Sequence, residues 1–491
     1  MFKKLLFATI FFLIATAIIA GAGLYFKKQP SALAQTGGTV TAASCSYADV
    51  TSAITSASAG DTVTVPAGIC TWTSTLTIKK GINFVGAGSS STTITNTVSN
   101  TVIITLVSDV AIRISGFKFD KGTNLNGTFN AIYIDGKTDG SFGLTKLRID
   151  NNIFNKGTRT VYAHGWVEGV IDHNSFVNCN ICVGIAGDNT YSWNRPITAG
   201  TTNSLFIEDN TFTINNSTDR EPNQPIYHQE GGRSVTRYNT FDGTAYTNGN
   251  TIWYDSHGNW GDIIAGTPDY RGQPILEIYN NVMKGHHSYE MVDFRGGSVL
   301  FYNNTLSYTT GSVPTINLRE EESWTSGGQF CPSCPVFTVW PSWDNLTNSF
   351  FWNNTSNGVT IDESNYSTYI TLKVPDKEAE FIQKDRDYFV HAPQSSGGKS
   401  TYPTVPGKYD MTFSSSVANA YYPYTPYAYP HPLAIAPPLK GDFNSDSKVN
   451  DLDFTSFKNA FKSTFNAIFD LNSDSAIDVK DLGVLMSSWL P

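Results

Sequence analysis

Apolar residues recur along the middle of the chain in one fixed setting. The segments are IDNNIF at 149–154, IDHNSF at 171–176, IEDNTF at 207–212, TRYNTF at 236–241, IYNNVM at 278–283, FYNNTL at 301–306 and FWNNTS at 351–356. Their shared Asn falls at 152, 174, 210, 239, 281, 304 and 354, with shortest intervals of 22 and 23 residues. Longer intervals read as the same unit plus an inserted loop. A repeat of about 20–45 residues marks a solenoid. Units rich in Val, Ile, Phe and Thr, punctuated by Gly and Asn, are β units.

The residue three before each Asn is usually apolar, as at Ile149, Ile171 and Ile207, and so is the residue two after it, as at Phe154, Phe176 and Phe212. Both are expected to point inward from two short strands. The Asn is expected at the bend, in the left-handed conformation, with successive Asn side chains stacked as a ladder. This pattern resembles the right-handed parallel β-helix of the pectate lyase-like superfamily, roughly from Ala42 to Pro403. The resemblance implies an all-β solenoid, a fold that hosts lyases, hydrolases, epimerases and adhesins, so activity has to be read from the site.

Upstream, Tyr47–Ala57 has the pattern of an amphipathic helix, followed by GDTVTVPAG as a first strand. A helix there would cover the open end of the solenoid and its strand edges. Ile82–Gly86 and Ile112–Gly116 continue the early turns, with Gly in place of the ladder Asn.

The last 51 residues change character. Asp442, Asn444, Asp446, Lys448 and Asp453 recur 28 residues later as Asp470, Asn472, Asp474, Ala476 and Asp481. These are positions 1, 3, 5, 7 and 12 of an EF-hand-type loop, with position 7 giving its backbone carbonyl. Each loop is followed by an apolar helical pattern. The duplication resembles a type I dockerin, a small α-helical, EF-hand-like domain. Ser447 and Ser475 stand where Gly is usual, which lowers the expected Ca²⁺ affinity. The resemblance implies two Ca²⁺ sites and a cohesin partner on a scaffold or cell surface. It also implies, by association, a polysaccharide-degrading system. A further Ca²⁺ in the β-helix groove is an additional expectation.

The expected domains are therefore 1–34 as export segment, 35–403 as β-helix, 404–440 as a Pro/Tyr-rich extension and linker, and 441–491 as the dockerin-like module. Met1-Phe-Lys-Lys precedes a mostly apolar run from Leu5 to Phe26, long enough to span a bilayer. Ala32-Leu33-Ala34 fits a signal cleavage site, so signal-anchor and cleaved signal peptide both stand, with Lys27-Lys28 favouring the anchor. Either places the bulk of the chain outside the cytoplasm, secreted or at the cell surface. Six Cys suit an oxidising compartment. Cys45 and Cys70 are expected to bridge. Cys179-x-x-Cys182 and Cys331-x-x-Cys334 are read as local disulfides rather than a zinc tetrad, because about four turns, roughly 19 Å, separate them. A net charge of −9 argues against a nucleic-acid partner.

Two columns carry candidate chemistry. Two residues before each Asn lie Asp150, Asp172, Glu208, Arg237, Tyr279, Tyr302 and Trp352. They are expected outward, with Arg237, Tyr279, Tyr302 and Trp352 as a glycan platform, since aromatic faces stack on sugars. The alternative is an ordinary solvated face. Nine or ten residues before the Asn lie His164, Glu230, Arg271, Arg295 and Asp344. Arg271 and Arg295 are expected on consecutive turns, with Glu230, Arg233 and His228 nearby and His257 on an inserted loop. Arginines, a carboxylate and a histidine suit β-elimination from a uronate polysaccharide: a guanidinium neutralises the carboxylate, and His257 or an Arg removes the acidified proton. A structural Arg–Glu ladder is the competing reading. Hydrolysis through Glu230 with Asp255 or Asp293 stays open, as does a non-catalytic glycan-binding or adhesive surface β-helix.

Overall fold

The computed structural model describes residues 37–121, 129–188, 195, 198–215, 223–246, 251–257, 273–285, 290–308, 315–319, 346, 348–372, 382–393, 399–400, 420–421, 424–435, 443, 449–461, 469–471 and 476–487. Arg271, Asp344, the Cys331/Cys334 pair and the whole export segment 1–34 lie outside them. Among the described residues no helix is long and apolar enough to cross a membrane. Two compact units are distinguished: Gln35–His431, and one that contains Pro432–Pro491.

The first unit is a parallel β-helix. A 12-stranded parallel sheet runs from Thr39–Thr41 to Tyr388–Phe389 and forms the first face. A 19-stranded sheet wraps the second and third faces. Its long strands Ile153–His164 and Ser175–Ala186 pass from the second face to the third without a break. Ile149, Ile171 and Ile207 lie opposite one another on successive turns of the first face. On the second face Phe119, Phe154, Phe176, Phe212 and Phe241 stack with centroids 5.5, 4.9, 4.8 and 4.5 Å apart. These positions are buried, as the repeat predicts.

The bend is built differently from the expectation. The left-handed residue is the one before the ladder Asn: Asn151, His173, Asp209, Tyr238, Asn280, Asn303 and Asn353 have φ of 52–57°. The ladder Asn itself points inward. Asn210 donates to the carbonyls of Ile171 and Glu208 and to Asn239 Oδ1, while its own Oδ1 accepts from the backbone and side chain of Asn174. Each Asn thus satisfies backbone groups that the sharp turn leaves buried. In the earlier turns Gly116 (φ 78°) takes the left-handed position rather than the ladder position, where Phe117 N–H donates to Asn152.

The helix Tyr47–Ser56 starts at Ser46, whose side chain accepts from Asp49 N–H, and it buries Val50, Ala53 and Ile54 against the core. The Cys45–Cys70 and Cys179–Cys182 disulfides are formed. In the second unit, helices Asp451–Ala460 and Val479–Ser487 share a core of Val449, Phe457, Leu471 and Leu485.

Candidate functional site

The column expected as a glycan platform lies on the first face, but most of it is closed off from solvent. Residues 424–431, from the Pro/Tyr-rich extension, lie across it. Arg237 is fully buried. It donates to Glu208 (2.8 Å), to the Tyr279 hydroxyl (2.9 Å), and to the carbonyls of Tyr427 (2.7 Å) and Ala428 (2.9 Å). Tyr279 stacks on Tyr302 at 4.6 Å and Tyr302 on Trp352 at 4.1 Å, and the Tyr302 hydroxyl meets that of Tyr424. Glu277 accepts from Tyr424 and from Gly200 N–H, and burial pushes its carboxyl up to about 7. Tyr279 and Tyr302 are buried, and Trp352 is partly so. The aromatic column is thus real, and the chain itself covers it.

The third face carries the other candidates. Here strands repeat an alternation of inward and outward positions, with polar ends: Ile226–Gln229, Tyr254–His257, Val292–Arg295 and Ile316–Arg319. The pairings place Tyr227, Asp255, Asp293 and Asn317 in one outward row. The next outward row follows as Gln229, His257, Arg295 and Arg319, two residues further along each strand. Arg295 donates from Nε to Asp293 (3.0 Å) and from Nη1 to His257 Nδ1 (3.0 Å), and its Nη2 pairs with Asp255 (3.0 Å). His257 Nε2 lies 3.3 Å from Asp255. Asn317 donates to Asp293 (3.0 Å), Arg319 lies 3.7 Å from it, and Gln224 donates to Asp255. Burial pushes the Asp255 carboxyl up, but Arg295, then His257 and Arg319, outweigh it and hold it well below the usual carboxylate range.

The register places His257 beside Arg295 on the adjacent turn; Arg271, expected there, lies outside the described residues. His257 meets Arg295 at Nδ1 and faces Asp255 at Nε2. Arg233 is buried and donates to the Arg195 carbonyl at 2.5 Å, a structural contact between segments. His228 points into the core, where it meets Ser234 at 2.8 Å, and burial pushes its pKa down to about 3.

Glu230 sits at the bend that closes Ile226–Gln229, half-buried, with φ of 57°. Burial pushes its carboxyl up to about 7, against the pull of Arg159 and with the push of Asp188. Gln229 joins it to the rest of the face. Its amide donates to Glu230 (2.7 Å) and the Tyr162 hydroxyl (3.1 Å), and its oxygen accepts from Tyr227 (2.6 Å). The Tyr227 ring lies 4.8 Å from His257. Tyr162, Tyr227, Arg319 and Arg159 were not singled out by the repeat. The alternation of the third-face strands is the signal that finds the first three.

In the C-terminal unit, Asp453 and Asp481 are fully buried at equivalent loop ends. Asp453 accepts from Phe443 N–H (2.7 Å) and Asn450 N–H (3.0 Å), and Asp481 from Asp478 N–H (2.8 Å). Two buried carboxylates in this duplicated setting fit the last ligand of a Ca²⁺ loop. Asp470 and Ala476 are described, whereas Asp442, Asn444, Asp446, Lys448, Asn472 and Asp474 lie outside the described residues. Among the described residues no group of three or more His, Cys, Asp or Glu gathers for a metal.

Residues 440–488 match the Dockerin type I domain. No curated protein matches the chain. Among solved structures, a PL6 family alginate lyase, AlyGC, is similar at 13% identity with a TM-score of 0.29. The match covers 71% of this chain and 40% of that one.

Proposed function

We propose that this chain is an extracellular carbohydrate-active protein whose β-helix cleaves a uronate-containing polysaccharide by β-elimination. In this reading the dockerin module, loaded with Ca²⁺ at two sites, docks to a cohesin on a scaffold or cell surface. The dockerin match supports export and attachment. The observation that carries the reaction is Glu230, a half-buried carboxylate pushed up to about 7, on the face that gathers His257 and Arg295. A base that titrates near working pH is the kind that proton abstraction needs.

In this mechanism Glu230 takes the proton next to the uronate carboxyl. The electron pair left behind forms the new carbon–carbon double bond as the glycosidic carbon–oxygen bond breaks. The leaving oxygen takes a proton from Tyr162 or Tyr227. Burial pushes the Tyr162 hydroxyl up to about 12 and Tyr227 higher, so both keep a proton to give. Arg295 is engaged by two aspartates and acts as a positioning residue for His257. In the Ca²⁺ loops, Asp442, Asn444, Asp446 and Asp453, and their counterparts Asp470, Asn472, Asp474 and Asp481, would supply side-chain oxygens. Lys448 and Ala476 would supply carbonyls.

Hydrolysis is the second reading. It is favoured by Asp188, a second carboxylate close enough to raise Glu230, since a pair of carboxyl groups is what a glycosidase uses. Asp255 and Asp293 are withdrawn from that role by their guanidinium partners. The test incubates the full chain, with calcium, with acidic and neutral polysaccharides while reducing ends and the ultraviolet absorbance of unsaturated uronates are followed together. Both rising supports the lyase, and reducing ends alone support the hydrolase. Neither rising across a broad panel refutes both and leaves glycan binding.

A further inference from the structure

We infer that Arg159 is the carboxylate-recognising cation of a glycan subsite on the third face that adjoins Glu230 and is built with Tyr133, Tyr162 and His164. The inference rests on the reading that this face handles polysaccharide, and it specifies the substrate class the face selects.

The guanidinium groups of the β-helix are mostly committed. Arg113 and Arg148 pair with Asp150 and Asp172, Arg237 with Glu208, Arg295 with two aspartates, and Arg386 with Asp387. Arg159 differs. It is partly exposed, and its guanidinium carbon lies 4.9 Å over the Tyr162 ring. None of the described carboxylates is within ion-pair distance of it. Its charge still reaches across the face and draws Glu230, Tyr133, Tyr162 and Tyr227 down, in each case against burial. A cation stacked on an aromatic ring keeps its planar fork oriented while its hydrogen-bonding edge stays open to a carboxylate.

The aromatic floor is equally specific. Tyr133 and Tyr162 are register partners on adjacent turns, with centroids 5.9 Å apart and planes 21° from parallel. Tyr133 also lies 6.4 Å from the His164 ring at 24°. The next register partner after Tyr162 is Gly184, and a Cβ there would sit 2.5 Å from the Tyr162 ring. The glycine therefore leaves the space over which the ring lies. Beyond Gly184 comes Tyr227, and Gln229 links the Tyr162 hydroxyl to Glu230. Tyr133 is partly exposed beside the buried Tyr162, and an exposed aromatic face takes a pyranose. A lone guanidinium beside them selects sugars that carry a carboxylate. A glycan lying across these turns would thus present one uronate to Arg159 while a neighbouring sugar lies at Glu230.

The test uses the full chain with calcium. Galacturonate and mannuronate tetrasaccharides and neutral cellotetraose are titrated calorimetrically into E230Q, which prevents turnover, and into E230Q carrying R159Q or R159K. Cleavage by R159Q alone is measured in parallel. The expected result is that an acidic tetrasaccharide binds, that R159Q weakens it about 10- to 100-fold, and that neutral binding is unchanged. R159K should recover only part, because an ammonium lacks the fork, and in the kinetics R159Q should raise KM more than it lowers kcat. Circular dichroism and melting confirm folding, and if R159Q does not fold, R159K against the parent gives the same comparison. Cleavage of an acidic glycan with R159Q binding like its parent overturns the subsite and leaves the Glu230 reading standing. Equal losses on acidic and neutral sugars also overturn it, since a packing role would do that. No binding or cleavage of any acidic glycan overturns both.

Discussion

Arg295 and His257 stand on adjacent turns, and the guanidinium Nη1 donates to the imidazole Nδ1 across 3.0 Å. An arginine can only donate, so Nδ1 is the acceptor and the proton of the neutral ring sits on Nε2, facing Asp255 at 3.3 Å. One guanidinium therefore sets the tautomer of the histidine and compensates two buried carboxylates at once.

Replacing Arg295 with Met should leave Asp255 and Asp293 short of their main partner while both remain buried. The expected loss is about 3–5 kcal/mol of stability, read as a lower denaturation midpoint. R295K should recover only part of it, because one ammonium cannot meet both aspartates and the histidine in the same geometry.

The pH profile tests the general base. With Glu230 near 7, kcat/KM should rise as pH passes through about 7, because the ionised carboxylate is the active form. E230Q should remove that limb and lower the rate by about 10²- to 10⁴-fold. An unchanged acidic limb in E230Q would mean that another group takes the proton.

Adjacent residues at one bend should respond oppositely to glycine. Asn303 has φ of 54°, so N303A should cost about 1–2 kcal/mol while N303G is nearly neutral. Asn304 makes inward bonds to the Ile278 carbonyl and the Asn354 side chain. Both N304A and N304G should therefore destabilise, by about 1–3 kcal/mol for each buried group left unsatisfied. Thermal or denaturant unfolding of the four variants decides it.

The 424–431 segment gives a pH signature. Glu277 is raised from 4.5 to about 7 by burial, against the Gly200 and Tyr424 hydrogen bonds. The folded chain then holds a proton that the unfolded chain releases. Its contribution is complete below about 4.5 and is lost as pH rises through about 7. E277Q, neutral at all pH, should flatten the fall in melting temperature over that range.

Calcium should order the C-terminal unit. Chelation is expected to weaken cohesin capture, and D453N with D481N should reduce Ca²⁺ binding measured by calorimetry. S447G with S475G should tighten it, because glycine adopts the loop turn more readily. Unchanged Ca²⁺ binding in the D453N/D481N double variant would remove both residues from the ligand set.

How much was legible follows from how local each feature is. The inward Ile and Phe columns and the Asn ladder come from a short repeat whose members bond to the same positions one turn away, so the pattern is visible without knowing the turn lengths. The dockerin signature is local in the same sense, with ligand positions set by spacing within one loop. The left-handed residue lies one position before the ladder Asn, and because Asn suits both the bend and the ladder, a pair such as Asn151-Asn152 does not say which does which.

The sequence by itself determined the solenoid, its core rows and the duplicated loop–helix module, because periodic burial and turn chemistry act over a few residues. Only the tertiary structure decided which side chains share a face. Tyr424 meets Glu277 and His431 N–H meets Glu208 across 147 and 223 residues of chain, and no local pattern encodes that cover. His257 came to Arg295 through the pairing of two strands, a register that a count back from the ladder Asn does not reveal. Arg159 stood out only once the other guanidinium groups had been placed against their carboxylates.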